Sequence, residues 1–270
     1  MNTNETRSPD RTAPVIAVSG ATGGIGTAIV AELARSGATV ALLGRDSARL
    51  TQAQQEIGAR TGGAGRLVAY RTDINDARSV DETVSAIVSD LGGIDGLVHA
   101  AGDGPVAPLS ETTDEMWQTT FNAKLMGAVR LTRAVSAPMT EAGGGAVVLI
   151  SGAFRKDPHP LFPVNSAINA ALATFAKAVS KDLGRSGIRV NVVDPGAVLT
   201  PLWDQTAKEL ADRTGSDPET VNAQLAEQTP LGSLTEPQDV ADLVGFLLSP
   251  AARNIAGAAI TLDGGASAGL

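Results

Sequence analysis

Ser19-Gly20-Ala21-Thr22-Gly23-Gly24-Ile25-Gly26 decides the fold. The run stands between a β-branched segment, Val15–Ser19, and a segment with apolar residues at helical spacing, Ala28–Ser36. A glycine-rich turn joining a first strand to a first helix is a phosphate cradle. Gly20 permits the tight turn, Gly24 lets backbone approach a pyrophosphate, and Gly26 lets the helix lie close to the sheet. The uncovered N–H groups of the helix then face an anion.

Outward from this turn, short apolar runs alternate with longer helical ones. Strands are predicted at Thr39–Leu43, Leu67–Arg71, Leu97–His99, Ala146–Ser151, Arg189–Asp194 and Ala258–Leu262. Helices are predicted over Ser47–Thr61, opened by a serine cap, and from an Asp76 cap to Leu91. Three more are expected near Leu125–Thr140, Asn165–Leu183 and Pro237–Ser249. Strands apolar on both faces, separated by helices, imply a parallel sheet covered on both sides, with right-handed crossovers making it doubly wound. Ligands bind such a sheet beyond the carboxyl ends of its strands. The proline-rich segment Ala153–Val164 and the segment Pro201–Leu231 interrupt the rhythm at that edge, so both are candidate walls or lids of one pocket.

Composition removes other classes. The 270 residues suit one large α/β domain, and 43 % hydrophobic content supports a sizeable core. A net charge of −8 repels phosphate backbones, so no nucleic-acid partner is expected. The absence of cysteine excludes disulfides, thiolate metal sites and a cysteine nucleophile, and two histidines exclude a histidine-rich metal site. No apolar run is long enough for a membrane span. Residues 1–14 are polar and read as a loose arm, and a soluble, cytoplasmic chain is expected.

The spacing Gly-x-x-x-Gly-x-Gly resembles that of the short-chain dehydrogenase/reductase family, and further landmarks agree from Val15 to Gly265. Asp73 follows the third strand, where that family contacts adenine. His99-Ala100-Ala101-Gly102 stands where it usually has Asn-Asn-Ala-Gly, and Pro195-Gly196 with Thr200 resembles the motif that holds the nicotinamide carboxamide. Pro237-Gln238-Asp239-Val240 and Asp263-Gly264-Gly265 are similar to the β-ketoacyl-carrier-protein reductase branch. The resemblance implies a Rossmann-type, seven-stranded, single-domain fold with a substrate lid at about 201–231. It also implies a small-molecule substrate and a homo-oligomer, a dimer or tetramer. At the end of the second strand, Gly44 replaces the acidic residue that would grip ribose hydroxyls, and Arg45 follows as a cation able to fork onto a phosphate. NADP(H) is therefore expected over NAD(H).

The family's Asn-Ser-Tyr-Lys tetrad is replaced throughout. Register from Asn169-Ala170-Ala171-Leu172 and Gly187-Ile188-Arg189-Val190-Asn191 puts Asn165 at the tyrosine position and Asn169 at the lysine position. Gly152 falls on the serine, with Ser151 one residue early and expected to point away, and Lys124 falls on the asparagine. Amides have no protonation equilibrium near neutrality, so a proton must come from elsewhere. His159 reads either as a relocated acid or base or as a loop histidine bonded between two prolines. Lys124 reads either as a desolvated donor or as a solvated lysine at a helix start. Arg155 and Lys156 read as surface charges, and His99 as structural. Three functions stay open: an atypical NADP(H)-dependent oxidoreductase acting on a carbonyl, imine or alkene; a non-redox cyclase, dehydratase or isomerase; and a non-catalytic NADP-binding subunit.

Overall fold

The structure is a computed structural model that describes residues 13–268. Of the arm expected over 1–14, residues 1–12 lie outside the described residues. The Pro14 carbonyl already accepts a hydrogen bond from the Thr39 N–H at 2.9 Å.

Seven strands, β1 (Val15–Ser19), β2 (Thr39–Gly44), β3 (Arg66–Arg71), β4 (Gly96–His99), β5 (Gly145–Ile150), β6 (Ile188–Pro195) and β7 (Ala259–Leu262), form one sheet ordered β3-β2-β1-β4-β5-β6-β7. Every pairing is parallel. The order reverses between β1 and β4, and their carboxyl ends, Ser19 and His99, are in register there. That switch point is where an open sheet of this kind leaves a crevice.

The strands are apolar on both faces because both are covered. On one side α1 (Gly24–Arg35), α2 (Ser47–Arg60) and α9 (Pro237–Leu248) pack Ile29, Leu50 and Val244 against Val18, Val40 and Val148. On the other, α3 (Ala77–Leu91), α5 (Gly127–Glu141) and α6 (Pro163–Leu183) pack Ile87, Leu131 and Leu172 against Ala17, Leu97 and Leu149.

Several boundaries differ from the sequence expectation for local reasons. Helix α1 begins at Gly24 rather than Ala28, because the glycines of the turn are themselves its first residues. Helix α2 is capped by Asp46 rather than by serine, its carboxylate accepting from the Ala48 and Arg49 N–H groups at 2.9 and 3.1 Å. A helix α4 (Asp114–Thr120), capped by Thr113, precedes α5 and is joined to it by a π-helical segment over Phe121–Met126. The segment expected as a lid contains two helices, α7 (Pro201–Thr214) and α8 (Pro218–Gln228). They bury Ala207, Ala211 and Val221 against each other in a small core of their own.

Candidate active site

The glycine-rich turn is built as its spacing requires. Gly20 has φ +74°, and a Cβ there would lie 2.6 Å from the Ala100 carbonyl oxygen, so β4 can run beside the turn only if this residue is glycine. A Cβ on Gly26 would lie 2.0 Å from the Gly20 carbonyl oxygen, which seats α1 directly on the turn. Gly23, at the N-cap of α1, offers no side-chain cap, and the helix N–H groups around Thr22, Gly24 and Ile25 are left for an anion. Gly24 faces Thr200 across the groove, at 2.6 Å from where a Cβ would be to the Thr200 Cγ2.

Ser19 plays a different part. It is fully buried and bonds His99 Nδ1 at 2.7 Å, while His99 Nε2 lies 3.0 Å from the Lys124 carbonyl oxygen. A carbonyl accepts only, so Nε2 carries the proton and the Ser19 hydroxyl donates to Nδ1. Its hydroxyl is thus spent inside the protein rather than on a ligand. Burial pushes the His99 imidazole down to about 4, so His99 stays neutral, as its structural reading implied. Above about pH 6.5 folded and unfolded chains both hold it neutral. As pH falls from there toward 4 only the unfolded chain takes the proton, and stability declines. The urea midpoint is expected to drop between pH 7 and pH 5, and His99→Gln to flatten that slope.

The remaining cofactor candidates lie at or beyond the carboxyl ends of the strands, and Gly102, Pro195, Gly196 and Thr200 among them line one cavity. Arg45 is exposed beyond β2 and forms no ion pair among the described residues. Asp73 is half-buried after β3, one carboxylate oxygen accepting from the Asn75 N–H at 3.0 Å. Gly102 (φ +94°), just after Ala101, presses on the Lys124 backbone. Thr200 caps α7, its hydroxyl oxygen accepting from the Trp203 N–H at 3.2 Å and donating to the Val198 carbonyl at 3.1 Å. A cavity of about 410 Å³ opens here, reaching from Pro195, Gly196 and Thr200 on one side to Lys124, Asn165 and Asn169 on the other. Helices α7 and α8 roof it with Leu202, Trp203 and Leu225. Arg213 of α7 ties that roof to the loop after β4, donating to the Glu111 carboxylate at 2.7 Å and the Val106 carbonyl at 3.1 Å.

All the tetrad positions meet in this cavity. Asn165 and Asn169, one turn apart on α6, are 95 % or more buried. Asn165 Nδ2 donates to the Gly104 carbonyl at 3.2 Å, so its Oδ1 is the free atom, and that oxygen and the Asn169 Oδ1 are buried without a hydrogen-bond donor. Gly152 faces Asn169, whose Nδ2 lies 2.7 Å from where a Cβ would be. Ser151 lines the cavity, but its hydroxyl donates to the Asn169 backbone carbonyl at 3.2 Å.

Lys124 is buried in the π-helical segment with Nζ donating to the Ser151 carbonyl at 3.2 Å. Burial pushes its amine below the usual lysine range, and Asp103 and Asp194 partly oppose that. This is the desolvated lysine of the two sequence readings. His159 lies at the exposed rim instead, its Nδ1 accepting from the Leu161 N–H at 3.2 Å and its ring set against Phe154 and Phe162. Arg155, read as a surface charge, is not one. Its Nε and Nη2 both bond Oδ2 of the fully buried Asp194, at 2.8 and 2.5 Å. Asp194 and Asp103 went unnoticed in the sequence, where neither belongs to a motif.

Comparison with known proteins agrees with this geometry. The model of the enoyl-(acyl carrier protein) reductase family matches residues 20–267. An uncharacterized oxidoreductase of Methylorubrum extorquens is 34 % identical over 251 residues, 93 % of this chain and 96 % of that protein. L-sorbose reductase from Gluconobacter frateurii, solved with NADPH and L-sorbose, superposes with a TM-score of 0.88 at 32 % identity over 96 % of this chain and 98 % of that one. An NADPH-bound short-chain oxidoreductase from Pseudomonas aeruginosa PAO1 containing an atypical catalytic center superposes with a TM-score of 0.86 at 31 % identity, over 95 % and 98 %. With a glycine-rich turn at the switch point of a seven-stranded parallel sheet and relatives matched along nearly the whole chain, the protein belongs to the short-chain dehydrogenase/reductase family of oxidoreductases.

Proposed function

We propose that the protein is an atypical NADP(H)-dependent oxidoreductase acting on a small carbonyl, imine or alkene, with Lys124 as the relocated proton donor. The observation that carries this reading is the buried Lys124 amine in the same cavity as the two amides at the tyrosine and lysine positions. A reduced nicotinamide nucleotide, when bound, supplies the hydride. The chain's own residues do the rest. The uncapped start of α1 receives the pyrophosphate, and Arg45 takes the 2′-phosphate that an acidic residue would repel. The stretch from Pro195 to Thr200 receives the carboxamide. Trp203, Phe154 and Phe162, in the cavity lining, would help to exclude water from the reaction. Lys124, held by the Ser151 carbonyl, has two N–H donors left to polarise and protonate a substrate oxygen or carbanion. His159, at the rim, is placed to exchange that proton with solvent rather than to deliver it. A homo-oligomer built through α5, α6 and β7 accompanies this reading.

Titration of NADPH, NADP⁺ and NADH against the purified protein tests the cofactor part. NADPH is expected to bind best, and Arg45→Ala to weaken it about tenfold while leaving NADH nearly unchanged. Consumption of NADPH with a panel of ketones, cyclic imines and activated alkenes tests the reaction. Product formation without any nicotinamide would replace this reading with a non-redox one. Turnover only in the presence of a co-purifying relative would make the chain a binding subunit.

A further inference from the structure

We propose that the substrate is a ketone whose only polar group is the carbonyl, an apolar cyclic or aryl ketone rather than a hydroxylated one such as a sugar. This inference rests on the oxidoreductase reading above and names its substrate class.

The hydroxyls of the cavity lining carry the argument. Seven serine and threonine side chains line the cavity, and a hydroxyl has one proton to give. Six of the seven give it to the chain itself. Ser151 and Thr200 donate to the Asn169 and Val198 carbonyls. Thr206 and Thr229 turn back to carbonyls four residues earlier, Leu202 at 3.1 Å and Leu225 at 2.8 Å. Thr235 donates to the Leu262 carbonyl at 3.2 Å, and Ser267 to the Asp263 carboxylate. The Trp203 indole N–H is likewise spent, on Asn222 Oδ1 at 2.8 Å. The seventh hydroxyl, on Ser233, is exposed, as are Gln228 and His159. Phe154, Phe162, Leu202, Leu225 and Leu234 add hydrocarbon to the same lining. The polar residues of this wall therefore offer a ligand few donors.

Donors remain inside at one place. Lys124 Nζ keeps two N–H groups, and the other unexposed side-chain donors left in the lining are the amide nitrogens of Asn165 and Asn169. All three residues stand at tetrad positions. One group of donors in a donor-poor lining matches one acceptor in an apolar molecule. A sugar brings several oxygens, and each that leaves water without finding a donor weakens binding. A hydrocarbon remainder carries no such penalty. The reacting atom points the same way. A carbonyl oxygen accepts from the Lys124 ammonium, whereas an iminium would meet it as a like charge and an alkene carbon has no lone pair to offer. Hydride arriving at the carbonyl carbon moves the π pair onto oxygen. Lys124 Nζ gives that oxygen its proton, and the amine is reprotonated from solvent.

Two ketones of equal heavy-atom count, 3-pentanone and 1,3-dihydroxyacetone, differ only by exchange of two methyls for hydroxyls. With NADPH, kcat/KM is expected to be at least about tenfold higher for 3-pentanone, although the hydroxyls make the other carbonyl the more electrophilic. Leu202→Gln places a donor in the lining at an exposed position of α7. It is expected to cut that preference at least about threefold, and a ratio taken within one preparation is untouched by partial unfolding. Calorimetric titration of the NADP⁺-bound protein is expected to show 1-tetralone binding and dihydroxyacetone binding far more weakly. Preference for dihydroxyacetone in either measurement, or no binding of tetralone, overturns the apolar ketone and leaves the oxidoreductase intact. Tetralone that binds while no ketone, imine or alkene is reduced overturns the oxidoreductase reading itself.

Discussion

Replacing Asp194 by alanine is expected to destabilise the protein by about 3–5 kcal/mol, the usual cost of removing one partner of a buried ion pair. Asp194, next to last in β6, has no exposed surface, and Arg155, its partner, has only 20 % of its side chain exposed. Without the carboxylate, the guanidinium stays pinned against the end of the sheet by the turn at Ala153–Arg155, with water reaching little of it. The double variant Asp194→Leu with Arg155→Met removes both charges and is expected to recover most of the loss. Urea unfolding at pH 7 of Asp194→Leu, Arg155→Met and the double closes the cycle. A cost below about 1 kcal/mol for Asp194→Ala would mean that water reaches the pair as it reaches surface pairs.

Lys124→Met is expected to lower turnover of a neutral carbonyl by about 10²–10⁴, with the affinity for NADPH little changed. Methionine fills nearly the same volume, so the loss reports the missing proton rather than a cavity. The pH profile carries the same information. Donation needs the ammonium, so carbonyl reduction should fall as pH rises through the Lys124 pKa, and burial sets that fall below the ordinary lysine range. Asp103 helps to keep the proton on, so Asp103→Asn should move the fall to lower pH. A profile flat through the alkaline range, or a Lys124→Met enzyme as fast as the parent, would transfer the donor's role to another group.

Much of this site is legible in the chain because periodic elements carry it. Asn165 and Asn169 share a helix face by spacing alone, and the glycines of the first turn state their purpose by position. The Arg155–Asp194 pair is different. Its members are 39 residues apart, and each alone looks like an ordinary polar residue near a strand end. Only the register of β5 against β6, which sets the end of one strand beside the turn after the other, brings them together. The roof helices α7 and α8 escaped for another reason. Helix α8 shows little helical period, and α7 buries only the small residues Ala207 and Ala211 rather than a long apolar stripe on the sheet. The orientation of Ser151 was half readable. Its hydroxyl is withheld from the cavity, not by turning to the opposite face of the sheet but by bonding to α6.

The widened turn at Phe121–Met126 stores one residue more than an α-helix would use over the same rise. Deleting a single residue there, such as Ala123, would let α4 and α5 fuse into one continuous helix with both flanks nearly in place, and would shift only the residues of the wide turn, Lys124 among them. The carbonyl that anchors His99 and the amine that reaches Ser151 belong to the same residue, so both anchors would be lost in one stroke. An insertion of that length thus couples the innermost imidazole of the sheet to the chemistry at its edge, and natural relatives that lost it would have to discard both together.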